Sequence, residues 1–180
     1  MPQKKLLEKM LQAAPKRSLR STLFNVAHAY ARAANYSLQA IGAEKDADFA
    51  APAIMCQSFA IELLLKFFLA IDHPNASTTD QLKAAGVKLK CHKYSELFDQ
   101  LQQQTKDKSA LAYADVIRQS ASAEDFRQAL LAQGDDPFVY WRYIYETQDR
   151  ISHFDTQAFV NVLTALGKAA EAERKAAPNA

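Results

Sequence analysis

The chain has little of what most catalytic scaffolds are built from. It holds 4 glycines and 6 prolines in 180 residues, and there is no GxGxxG, phosphate-loop, HExxH or GxSxG pattern. A glycine-looped nucleotide enzyme, a collagen-like chain and a turn-rich β-sandwich are therefore all poor fits. Two cysteines, Cys56 and Cys91, do not make a disulfide framework, and no CxxC or Cys/His cluster has metal-ligand spacing. No metal and no cofactor is expected. The formal net charge is only +2, with a pI of about 8.5, too balanced to indicate nucleic acid by itself. Long apolar runs are missing too. The most apolar stretch, Phe59–Ile71, is interrupted by Glu62 and Lys66 and is too short to span a bilayer. The N-terminal residues lack the apolar core of a signal peptide. These readings predict a cytoplasmic protein with reduced thiols and no membrane partner.

What is abundant is alanine, 33 residues, and leucine, 19. Both favour helix. The spacing predicts an all-α protein: an up-and-down bundle of four to five core helices with additional short helices. Residues 1–18 read as a basic N-terminal helix, because six Lys/Arg face one Glu over 1–20. Residues 19–175 read as the bundle and 176–180 as a frayed tail. Within the bundle, helices are expected over 19–41 with Gly42 as its stop, and from Pro52 to about Asp72. The second is apolar on nearly all sides and so belongs at the centre. A weak turn is expected at 79–85 and a helix starting near His92. Further helices are predicted at 108–119, at 123–132 behind a Ser122 cap, and from Asp155 or Thr156 to 175. The polar run 102–108 reads as a connector, and Gly134–Pro137 as a break.

Three groups of residues carry chemical interest. Glu62 and Lys66 lie four apart on the most apolar helix, so they face the same way. An unpartnered charge there would be costly. They form either a self-satisfied ion pair or part of a polar pocket. His92 follows the sequence KLKC and could cap a helix or point into a cleft. Trp141, Arg142, Tyr143 and Glu146 set an arginine among aromatic rings, where it can stack and make forked hydrogen bonds to carboxylate or phosphate. Arg142 could equally pair with Glu62 or Glu146 and lock two helices together.

The segment Ser58–Lys66, with Glu62-Leu63 followed by Lys66, resembles the E-L-x-x-K helix of the HEPN superfamily. The segment Cys91–Phe98 is similar to that family's G-H-x-L-x-x-L helix start, with Cys91 in place of the commoner glycine. A later Arg/Tyr segment at 141–146 fits the family's order, and the likeness spans roughly residues 20–165. The resemblance implies an up-and-down bundle, often dimeric, that in some members cuts RNA in bacterial defence or toxin–antitoxin systems. Those nucleases use an Arg and a His separated by four to six residues. The His moves a proton and the Arg stabilises the phosphorane. This chain lacks that spacing. His153 would need an arginine at 146–148 and has Glu146, Thr147 and Gln148. Arg150 is too near and Arg142 too far.

The sequence therefore points to a non-catalytic helical module that binds a nucleotide, RNA or a protein partner, with no catalytic residue assigned. Glu62, Lys66, His92, Arg142 and Glu146 are expected to converge into one polar cluster walled by Trp141 and Tyr143. One alternative is a metal-independent ribonuclease with a non-standard Arg/His pair (His153 with Arg150, or His92 with Arg142). Another is a structural module that forms a homodimer through its aromatic segment 138–145.

Overall fold

The computed structural model describes residues 18–45, 47–134 and 155–176. The expected N-terminal helix, the tail from residue 177 and the segment carrying Trp141, Arg142, Tyr143, Glu146, Arg150 and His153 lie outside the described residues. Seven α-helices make up the described chain, which contains no strand. They are α1 (Leu19–Glu44), α2 (Ala50–Asp72), α3 (Thr79–Ala84), α4 (Tyr94–Asp99), α5 (Gln103–Ile117), α6 (Ala123–Ala132) and α7 (Thr156–Ala176). The chain is an all-α helical bundle.

Ring contacts fix the directions. Phe24 meets Phe67 with centroids 5.6 Å apart, and Tyr30 meets Phe59 at 4.6 Å. Numbers that rise along α1 thus fall along α2, and the two are antiparallel. Lys108 of α5 pairs with Glu173 of α7, and Asp115 with Lys168, so α5 and α7 are antiparallel as well. Four long helices run up, down, up and down, with α3, α4 and α6 as short pieces. In the middle lie Ile61, Leu65 and Phe68 of α2, Phe98 of α4, Phe126 of α6 and Phe159, Val162 and Leu166 of α7. By length and composition α2 could cross a membrane, with a mean hydropathy of 1.9. Most of it is buried against the other helices, the expected place for a helix without a polar face.

The ends of the helices are set by specific residues. Ser18 caps α1, its hydroxyl accepting from the Ser21 amide. Thr78 with Gln81 and Ser122 with Asp125 form capping boxes for α3 and α6. Asp155 accepts from the Ala158 amide at the start of α7. Gly42 does not stop α1. The helix continues through it to Glu44 and ends on Lys45, whose φ of 54° is left-handed. Nothing lies within 4 Å of a Cβ at Gly42, so neither packing nor a turn uses that glycine. The polar run 102–108 is helix rather than connector, because Asp72 pins its start. The Asp72 carboxylate accepts from the Gln102 amide at 2.7 Å and from the Thr105 hydroxyl, while the Asp72 carbonyl accepts from the Gln102 side chain. That carboxylate supplies the cap which Gln102's own side chain does not. Arg20 does the complementary job for α2, donating to the free carbonyl of Ala70 at 3.1 Å. At the C-terminus the helix includes Ala176, one residue beyond the expected limit of 175.

Candidate functional site

Helix α2 buries Glu62 in the middle of its apolar surface; the side chain is 2% exposed. A carboxylate there needs partners on both oxygens. One turn on, Lys66 extends back along the helix and its Nζ donates to Glu62 Oε1 at 2.6 Å. The other oxygen, Oε2, lies 3.1 Å from His92 Nδ1, thirty residues away in sequence. The cluster grades outward: Lys66 is 13% exposed and His92 49%. A buried anion thus holds a ring that stands at the surface.

His92 reaches Glu62 because of its neighbour two residues on. Tyr94 opens α4 and is fully buried, and its hydroxyl donates to the Ser58 carbonyl of α2 at 2.7 Å. Ser58 is one turn before Glu62, so this bond docks the start of α4 beside the carboxylate. The α4 cap residue is Lys93, which makes no side-chain cap bond. His92 therefore sits just outside the helix and turns back toward α2 instead of capping. With Nδ1 committed to Glu62, Nε2 is the ring nitrogen left for other partners.

The rest of the surroundings are polar and mostly basic. Lys88, Lys90 and Lys93 are exposed on the same 87–93 connection as His92. Lys93 pairs with Glu96 at 3.5 Å. The Cys91 thiol donates to Glu96 Oε2 at 3.3 Å. Burial pushes that thiol up, and so does the Glu96 carboxylate, against the Lys93 backbone and the nearby Lys66 ammonium. No group of three or more His, Cys, Asp or Glu suited to a metal ion occurs among the described residues.

Of the seven residues expected at this site, the structure brings Glu62, Lys66 and His92 into one hydrogen-bonded unit. Trp141, Arg142, Tyr143 and Glu146 lie outside the described residues. Two contributors escaped the sequence reading as site residues. Tyr94 was legible only as an apolar helix position, and nothing in its spacing shows that its hydroxyl would find Ser58. Cys91 was noted for replacing a glycine, without its contact to Glu96. No protein family, no curated protein and no solved structure matches this chain.

Proposed function

We propose that this chain is a HEPN-like, non-catalytic module that binds the phosphate groups of RNA or a nucleotide on the face presented by His92. The observation that carries the reading is the half-exposed His92 ring, held from behind by the buried Glu62 and set on a connection with Lys88, Lys90 and Lys93. Exposed ammonium groups beside the fixed imidazole offer donors and positive potential together, which is what a phosphate diester needs. The likeness of Ser58–Lys66 and Cys91–Phe98 to the HEPN motifs supports the same face and its setting in bacterial defence. An enzyme reading draws on the same geometry, because a carboxylate-oriented imidazole with a free Nε2 is also the arrangement of a general base. It lacks the Arg/His spacing of the family's nucleases.

Fluorescence anisotropy with a labelled single-stranded oligoribonucleotide, repeated over a range of salt, tests the proposal. The wild type should bind, and replacing both Lys88 and Lys90 by alanine should lower the log–log salt slope by about 1.4, since each phosphate contact on a single strand contributes about 0.7. His92→Ala should weaken binding with the RNA staying intact throughout. An unchanged slope, or no binding at low salt, refutes the reading. RNA cleavage lost in His92→Ala would replace it with the enzyme reading.

A further inference from the structure

Helices α1 and α7 both pack on α2, and they meet each other where the Arg174 guanidinium lies over the Phe24 ring, 4.8 Å from its centroid. A cleft of about 200 Å³ lies between them, floored by α2. It opens on the face of α2 opposite the Glu62 cluster: Gln57 and Leu64, seven residues apart, share the stripe that lines it. The walls are mainly apolar, with Val160, Leu163 and Gly167 on α7 and Ala27 and Ala31 on α1. Four polar side chains break that surface: His28 and Asn35 on α1, Gln57 on α2 and Thr164 on α7. Gln57 is only 4% exposed, yet its amide makes no hydrogen bond with any described residue. His28 forms part of the wall, and its Nε2 is buried with no partner. The ring packs against Phe24, with centroids 4.2 Å apart.

Buried polar groups in folded proteins are nearly always paired, and a buried imidazole nitrogen without a partner, beside an unbonded amide on one cleft, is a costly arrangement for packing alone. Burial, and then the positive Arg174 and Arg32, lower the tendency of His28 to take a proton, against a smaller opposing effect of Glu171 that ranks between them. The ring therefore favours its uncharged form at neutral pH. An uncharged imidazole and a primary amide between them offer both donor and acceptor to a partner without net charge. Both partners lie in a largely apolar enclosure, the usual composition of a small-molecule site.

We infer that this cleft binds a small uncharged molecule, an apolar ring carrying a carboxamide or hydroxyl that hydrogen-bonds Gln57 and His28. The volume admits a fragment of roughly ten non-hydrogen atoms, less than a drug-sized ligand. Nε2 is buried in the wall, so the ligand reaches it only as the imidazole turns about its Cβ–Cγ bond. The site is separate from the phosphate-binding face and does not depend on it.

Benzamide serves as the probe, with toluene and benzoate as controls. Binding is read by two-dimensional NMR of the intact protein, including the ring nitrogens of His28. Benzamide should bind in the millimolar range, move the His28 Nε2 resonance, and exceed toluene in affinity by about tenfold. Gln57→Leu should remove that preference while still admitting toluene. Equal affinity for toluene would reduce the cleft to an apolar void. Tighter binding of benzoate would assign the effect to Arg32 and Arg174. No shift with benzamide up to about 5 mM would mean that Gln57 and His28 are satisfied by water, and the inference fails.

Discussion

Replacing Lys66 by methionine keeps the length of the side chain and removes its ammonium group. The Glu62 carboxylate, 2% exposed, then keeps only His92, which is itself half in water and screened. Removing one partner of a fully buried ion pair costs about 3–5 kcal/mol. Because His92 still covers one oxygen, and Lys66 is 13% exposed rather than sealed, a loss of about 2–3 kcal/mol is expected at neutral pH. For a chain of this size that is a fall in Tm of about 4–12 °C. Glu62→Leu should cost less, about 1–2 kcal/mol, because the freed ammonium can extend toward water along its own methylenes. The double variant, apolar at both positions, should return to within about 1 kcal/mol of the parent. Urea unfolding of the four proteins closes the cycle, with the slope of the transition checked for constancy. A coupling of about 2–6 kcal/mol, the two single losses together less that of the double variant, is the predicted result. Losses that add within about 0.5 kcal/mol would mean that the two charges do not depend on each other, and the buried-anion account of this site would be wrong.

Two further outcomes follow from single contacts. Tyr94→Phe removes one buried neutral hydrogen bond to Ser58 and should cost about 1 kcal/mol; the same substitution should broaden the His92 ring signals in NMR, and sharp, unmoved signals would show that Tyr94 does not position His92. His28 has a folded-state pKa below its ordinary value of 6.5, so below that pH the unfolded chain takes the proton more readily. Stability should then fall as pH drops from about 7 through 6.5 toward the lower folded value. His28→Gln should flatten that part of the urea-midpoint profile, and an identical slope in the variant would contradict the assignment.

How much of this was legible beforehand varied with the physics at each place. Ser122 announced its helix because capping is local chemistry: a side chain satisfying amides two or three residues away. The core role of α2 was equally plain, since a helix apolar on all sides has nowhere else to go. The Glu62–Lys66 pair was readable from its spacing, and His92 was singled out by its place after KLKC. What joined them was not readable, because the bond from Glu62 to His92 crosses thirty residues and depends on Tyr94 docking against Ser58. Residues 102–108 misled for a related reason. Their composition is that of a connector, and the group that makes them a helix, Asp72, sits at the end of a different helix. Gly42 carried no instruction at all, being an exposed helical residue. His28 looked unremarkable in sequence, because only the gap between α1 and α7 gives its nitrogen significance.

The Asp72 contacts also have a topological effect. By holding Gln102 and Thr105, Asp72 ties together the two ends of the excursion from residue 73 to 102 that carries α3, His92 and α4. The excursion is latched at its base, and α4 is anchored separately by Tyr94. A peptide bond cut in the exposed stretch near Lys88 or Lys90 would therefore leave both fragments gripped by the parent body. The same stretch is a natural place to divide the protein into two halves that reassemble, or to graft a reporter beside His92 without loosening the four long helices.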